Sequence, residues 1–185
     1  MGHGGNVIVE LTTDHREVES MFEQIQALPA GHPERRAIAD RFTVELVRHS
    51  VAEEMYLYPA VRTYLPDGDA LADRELEEHA HAEELLKVLE GVEVTDRRFD
   101  ETLALLIAEV KAHLADEEAH LFPALADTCS PGKLDTLGDQ VRKAKDRAPT
   151  RPHPAAPDTP PANKLLAPGL GLVDRARDFV SGRGK

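Results

Sequence analysis

One stretch of this sequence occurs twice and constrains the fold more than any other feature. Residues 49–61 read HSVAEEMYLYPAV and residues 113–125 read HLADEEAHLFPAL, with six identities at matched positions. Each copy contains a His-x-x-x-Glu pair, His49 with Glu53 and His113 with Glu117. Residues four apart lie on one face of an α-helix, so each copy presents an imidazole beside a carboxylate. Two such copies on facing helices would hold a pair of metal ions from both sides.

Apolar residues spaced three and four apart predict four long helices. The predicted helices cover residues 7–29, 33–59 or one turn more, 70–91, and 96 to at least 117. Short connections make successive helices antiparallel neighbours. The predicted fold class is therefore all-α, an antiparallel up-down-up-down four-helix bundle. Ser130 and Pro131 are typical of a helix start and predict a weaker fifth helix that extends to residue 147.

Composition divides the chain into four parts. Residues 1–6 are Gly-rich and predicted to be loose, and residues 7–147 form the predicted bundle. Residues 148–168 form a predicted extended linker, because six prolines occur between residues 148 and 161. Residues 169–185 form a short amphipathic tail whose predicted helix is marginal in isolation. The sequence favours neither docking of this tail nor its disorder.

The cysteine count, the apolar runs and the net charge indicate the compartment of the protein and the partners it can have. A single cysteine, Cys129, excludes an internal disulfide and fits a reducing compartment. The opening residues lack the pattern of a signal peptide, and no apolar run is long enough to span a membrane. We therefore expect a soluble, cytoplasmic protein with no membrane partner. Residues 1–132 carry a net charge of −17, which argues against nucleic acid as a partner. The oligomeric state stays open.

Each predicted bundle helix carries one histidine in its apolar stripe, followed by glutamate four residues later. Nine histidines and 19 glutamates in 185 residues would give about one such pair by chance, whereas four are present. Burial of several histidines and glutamates in one core costs several kcal/mol for each group unless cations compensate. Imidazole and carboxylate without thiolate favour iron or manganese over zinc. The pattern therefore predicts a metal site that contains a pair of cations.

These motifs resemble the hemerythrin-like (HHE cation-binding) family over about residues 7–126. The similar segments are Thr-Asp-His15-Arg-Glu, the repeated stretches that begin at His49 and His113, and Glu-Glu-His79, in the order that the family shows. The resemblance implies a four-helix bundle with a non-haem centre of two iron ions joined by an oxo or hydroxo bridge. It implies that His15 and His49 bind one iron, that His79 and His113 bind the other, and that Glu53 and Glu117 bridge them.

Two departures separate this chain from the oxygen-carrying hemerythrins. They place a second histidine four residues after the third-helix ligand, where this chain has Glu83, and they bridge through the residue that corresponds to Glu118. One coordination position is therefore open or filled by an oxygen ligand. Glu83 is the direct candidate, and Tyr58 is another.

Three further residues are candidates for contact with the centre or its ligands. Tyr56 is predicted on the ligand face of the second helix. Asp14 is expected to orient His15 through its second ring nitrogen. His120 shares a helix face with His113 and is expected either beside the ligands or near the end of the bundle.

A site richer in carboxylate than an oxygen carrier favours ferric iron and less reversible oxygen binding. Two function classes follow. The first is a di-iron protein that reacts with peroxide, nitric oxide or dioxygen in oxidative or nitrosative stress, with a possible external reductant and catalase-like, peroxidase or nitric-oxide-oxidising activity. The second is a non-catalytic protein that binds or senses oxygen or iron. The sequence leaves the choice between them open.

Overall fold

The computed structural model describes residues 4–181, with side chains to residue 178, and these residues form helices and turns without any strand. Four long helices make the body of the protein: α1 Val7–Ala27, α2 Glu34–Ala52, α4 Gly68–Gly91 and α5 Arg97–Asp116. The side chain of Asn6 begins α1 because it accepts a hydrogen bond from the Val9 amide at 3.1 Å. Within residues 4–181, none of the helices is both long and apolar enough to cross a bilayer.

The helices α2 and α5 both continue through a π-helical turn into a short helix. The turn π1 Glu53–Leu57 leads into α3 Tyr58–Tyr64, and the turn π2 Glu117–Leu121 leads into α6 Phe122–Thr128. Pro59 and Pro123 stand second in α3 and α6, where a missing amide hydrogen disrupts the regular i→i−4 bonding of a longer helix. The wider π turn accommodates the break, and the Tyr58 amide donates to the Glu53 carbonyl, five residues back. Both turns begin at the glutamates of the repeated stretch.

Two apolar clusters fill the bundle, one at each end. The first contains the start of α1, the start of α4, π1 with α3, and π2 with α6. The second contains the end of α1, the start of α2, the end of α4 and most of α5. The four histidines lie along the chain between residues of the two clusters, so a polar layer crosses the middle of the bundle.

The helix α7 Pro131–Lys145 corresponds to the predicted fifth helix. The Ser130 side chain accepts a hydrogen bond from the Lys133 amide at 3.3 Å and thereby begins it. Its apolar side chains join the first cluster. Arg142 donates to the Gly5 carbonyl at 2.8 Å, so residues 4–6 are held rather than loose as predicted. Residues 1–3 lie outside the described part of the chain.

The segment after α7 differs from the predicted free linker. The helix α8 Ala162–Ser181 begins inside the predicted linker, and residues 148–161 pack on the bundle with Ala148 and Thr150 buried. Asp174 of α8 organises the segment, because its carboxylate accepts from the amides of Thr150 and Arg151 and lies 2.8 Å from Nε2 of His153. Secondary-structure propensity does not reveal these contacts, because they join residues that are far apart in the sequence. Residues 182–185 lie outside the described part of the chain.

Candidate metal centre

Four buried histidines direct their Nε2 atoms at two buried glutamates. Nε2 of His49 and of His79 lie 3.1 Å and 3.4 Å from one carboxylate oxygen of Glu53. Nε2 of His15 and of His113 lie 3.4 Å and 3.7 Å from one carboxylate oxygen of Glu117. The structure therefore brings together the six residues predicted as ligands: His15, His49, Glu53, His79, His113 and Glu117.

A carboxylate holds the other ring nitrogen of each of these histidines. The Nδ1 atoms of His15, His49, His79 and His113 lie 2.7, 3.3, 3.3 and 2.9 Å from carboxylate oxygens of, respectively, Glu118, Asp14, Glu54 and Glu78. A carboxylate at Nδ1 fixes the ring and leaves Nε2 with a lone pair, as metal-binding histidines require. All four rings are thus prepared to bind cations at the centre.

Two of these contacts differ from the sequence expectation. Asp14 was expected beside its neighbour His15, but its carboxylate contacts His49 on the next helix. Adjacent residues point about 100° apart on a helix, so Asp14 and His15 face different neighbours. Glu118 takes the place beside His15, and Glu117 rather than Glu118 faces the centre.

Several buried polar atoms at the centre have no hydrogen-bond partner within the described residues. They are Nε2 of His15, Nε2 of His49, Oε1 of Glu53, Oε2 of Glu75 and Oε2 of Glu117. An unsatisfied buried polar atom costs about 1–3 kcal/mol, and a charged group costs more. Bound cations would satisfy these lone pairs together, so the donor set fits the metal pair that the sequence predicts.

Tyr58 reaches the same place. Its hydroxyl lies 2.9 Å from Nε2 of His79, 3.5 Å from Glu53 and 3.4 Å from Glu117. In an uninterrupted α-helix, residues three or four positions after Glu53 would share its face. The π turn moves that position to the fifth residue, which is Tyr58. The oxygen ligand that sequence analysis considered at this position is therefore within reach of the centre.

The prediction for Tyr56 is wrong for the same reason, and of the two places expected for His120 the one beside the ligands is excluded. Tyr56 lies away from the centre, with the ammonium of Lys164 from α8 at 4.4 Å from its ring centroid. His120 is exposed and its Nδ1 lies 2.8 Å from Asp116, so it is not beside the ligands. Phe122 takes the position equivalent to Tyr58 in the second copy, and its ring stacks on His15 with 5.5 Å between centroids.

Glu83 does not join the groups that could hold a metal among the described residues. Its carboxylate accepts a hydrogen bond from the His153 amide at 2.7 Å and so fastens the segment after α7 to α4. One turn of helix, about 5.4 Å along the axis, separates it from His79.

Sequence analysis missed Glu75. This fully buried carboxylate lies 3.1 Å from Nδ1 of His113 and belongs to a possible metal group with His113 and Glu117. Its position four residues before His79 is the reverse of the His-x-x-x-Glu order. A search for Glu-x-x-x-His would have found it.

A second missed group lies behind His49. Lys145, at the end of α7, is 4% exposed and donates to Glu10 at 2.8 Å and to Asp14. Asp14 in turn contacts His49, so a buried chain of charged groups connects α7 to the centre. A basic residue in the last turn of a helix is ordinary, and no sequence signal distinguishes this one.

Burial and mutual charge change the protonation of these groups. Burial opposes the charge of His49, but the carboxylates of Glu53 and Asp14 outweigh it and raise the pKa of this imidazole to about 10. Burial raises the pKa of the Glu54 carboxyl to about 7. Burial and nearby carboxylates raise the pKa of the Tyr58 phenol well above its ordinary value, so it keeps its proton. Cations would replace protons in balancing this buried negative charge.

A cavity of about 540 Å³ opens beside the centre. Helices α2, α4 and α5 line it on one side, and residues 149–170 line it on the other. His49, His79 and His113 contribute to its wall. The centre is therefore accessible from this side of the bundle.

Comparison with known proteins agrees with this geometry. The family model described as the hemerythrin HHE cation binding domain matches residues 6–125. An uncharacterized hemerythrin-like protein of Schizosaccharomyces pombe is 28% identical over 168 residues, which cover 90% of this chain and 82% of that protein. A DNA nickase of Nostoc is 25% identical over 77% of this chain, but the match spans only 40% of the nickase.

A solved structure has the same fold. The crystal structure of an HHE cation-binding-domain protein from Mycobacterium kansasii matches with a TM-score of 0.67 and 22% identity. The match covers 76% of this chain and 85% of that one. At this identity the likeness concerns the fold alone, whereas the family model covers most of the chain. The chain therefore belongs to the hemerythrin HHE cation-binding domain family.

Proposed function

We propose that this protein binds two iron ions, joined by an oxo or hydroxo bridge, and reacts with peroxide, nitric oxide or dioxygen. The observation that carries the proposal is the convergence of four Nε2 atoms on two buried carboxylates, with a carboxylate at every Nδ1. In this assignment His15, His49, His79 and His113 are terminal ligands, and Glu53 and Glu117 bridge the ions. Bound iron would supply redox and Lewis-acid chemistry.

The residues around the ligands favour reaction over simple storage. Tyr58 keeps a proton on an oxygen within 3.5 Å of both proposed bridging carboxylates, so it can donate a hydrogen bond or a proton to a small molecule at the centre. The neighbouring carboxylates Asp14, Glu54, Glu78 and Glu118 hold the imidazoles and add negative charge, which favours the ferric state.

Metal analysis and spectroscopy test this proposal. The purified chain is loaded with Fe(II) without oxygen, its iron content is measured, and its optical spectrum is recorded before and after peroxide is added. Two irons per chain and a spectrum that changes with peroxide turnover are expected. Well under two irons per chain after loading would contradict the di-iron assignment.

A stopped-flow experiment separates the two function classes. The reduced, iron-loaded protein is mixed with oxygenated buffer, and the product is then placed under argon. A stable spectrum that reverses under argon, with no peroxide turnover, would instead indicate a non-catalytic oxygen-binding protein.

A further inference from the structure

The cavity beside the centre is far larger than the small molecules considered above. Water occupies about 30 Å³ per molecule in the liquid, and peroxide and dioxygen contain only two heavy atoms. The cavity volume of about 540 Å³ instead falls within the range of sites for organic ligands, about 300–1,000 Å³. A larger molecule therefore fits this space.

The walls of the cavity are mostly apolar. Leu46, Val47, Leu86, Val110 and Leu114, all buried, line it, and the centre occupies one side through three imidazoles. Such a wall favours a ligand with an apolar body.

The charges around the cavity exclude one class of ligand. Six carboxylates line it: Glu54, Glu78, Glu83, Glu109, Asp116 and Asp158. Arg74 is its single Lys or Arg among the described residues, and that guanidinium is already paired with Glu75 and Asp116. An anionic ligand would meet like charge without a free cation, so the cavity disfavours a negatively charged ligand.

The segment after α7 forms the roof of the cavity and is fastened at several points. Arg151 donates to Glu90 of α4 at 2.8 Å, and the His153 amide donates to Glu83 at 2.7 Å. Gly171 lets α8 approach closely, because a Cβ atom there would lie 2.4 Å from the Arg147 carbonyl oxygen. The roof presents Ala167 and Leu170 to the cavity.

From these observations we infer that the cavity, roofed by residues 149–170, is a binding site for an organic molecule with an apolar body and no negative charge. Three of the proposed metal ligands border this site, but its occupation does not depend on whether the centre reacts with peroxide. The roof lies beyond residues 6–125, the part matched by the family model.

Fluorescent probes test the site in the 185-residue chain. N-phenyl-1-naphthylamine is uncharged, and 1-anilinonaphthalene-8-sulfonate has the same aromatic body with one negative charge. The uncharged probe is expected to bind one saturable site with enhanced emission, and the anionic probe is expected to bind at least about tenfold more weakly. Equal binding of the two probes, or no saturable binding of the uncharged one, would overturn the inference.

Matched substitutions locate the probe. Ala82→Trp on α4 and Ala167→Trp on α8 place a large ring in the cavity and should weaken binding of the uncharged probe at least about tenfold. Ala176→Trp, at an exposed position of α8, is the control and should leave binding unchanged. Unchanged binding in both cavity variants would place the probe elsewhere and refute the site.

Measurements of folding and of iron content accompany the probe experiments. Circular dichroism reports whether each variant folds, and Ala167→Trp on the roof carries the test if Ala82→Trp unfolds. Iron content is measured in the same samples. Loss of iron binding with intact probe binding would contradict the proposed function alone, whereas the reverse result would contradict the cavity site alone.

Discussion

The hydroxyl of Tyr58 lies 2.9 Å from Nε2 of His79. The contact exists because π1 carries Tyr58 onto the face of Glu53. It places a proton-bearing oxygen among the proposed iron ligands.

Tyr58→Phe removes this oxygen and keeps the ring. We expect iron content to stay near that of the parent protein, because the six proposed ligands remain, and peroxide turnover to fall by about 10²-fold or more, the usual contribution of a positioned proton donor. Metal analysis and peroxide consumption measure the two effects. Phe122→Tyr is the control; it adds a hydroxyl beside His15 at the matched position of the second copy. Equal peroxide turnover in the parent protein and in Tyr58→Phe would exclude a role for the phenol.

His49→Ala and His113→Ala each remove one proposed ligand from opposite sides of the centre. Iron should fall below two ions per chain, and the absorption bands of the bridged pair should disappear. His120→Ala is the control, since His120 is exposed and contacts only Asp116 among the charged residues described. Absorption bands that survive in both ligand variants would refute the ligand assignment.

Lys145→Met leaves Glu10 and Asp14 buried without their shared cation. Removal of one partner from a buried ion pair costs about 3–5 kcal/mol, so the free energy of unfolding should drop by that order. Urea unfolding measures it. Lys143→Met changes an exposed lysine of the same helix and should cost much less; similar losses in the two variants would show that the buried contact contributes little.

Glu83→Ala tests whether Glu83 reaches the metal. The Glu83 carboxylate accepts a hydrogen bond from the His153 amide and belongs to none of the possible metal groups among the described residues. Iron content should therefore stay unchanged in Glu83→Ala, while residues 148–161 should become more sensitive to protease. Iron analysis and limited proteolysis report the two effects. The exposed neighbour Glu84→Ala should change neither quantity. A clear loss of iron in Glu83→Ala alone would restore Glu83 as a ligand candidate.

The regular 3.6-residue repeat predicts the long helices and places His49 with Glu53, and His113 with Glu117, on one face. The same repeat also pairs His15 with Glu19 and His79 with Glu83. The choice of six ligands therefore depends on the resemblance to the hemerythrin-like family. The same repeat misplaces residues within a π turn and directly after it, and this explains the error at Tyr56. The wider π turn depends on the proline that interrupts the helix and on the packing around it, and a 3.6-residue periodicity describes neither.

The other errors concern contacts between distant parts of the chain. Asp14 pairs with His49 across two helices, and Lys145 pairs with Asp14 from a fifth helix. The docked segment after α7 depends on Asp174, a residue of α8 that binds the amides of Thr150 and Arg151. Composition indicated a free linker there because six prolines disfavour a helix, although extended chain can still pack against a surface.

The polar layer across the bundle has a consequence for folding. It separates two apolar clusters, one on each side of the histidines. Cooperative unfolding requires that the two halves unfold together. A layer of charged side chains provides little apolar packing between the halves to couple their unfolding. Ions that bind residues from α1, α2, α4 and α5 at once would tie the halves into one unit. The sharpness of the unfolding transition, and not only its midpoint, is then a property that the metal confers.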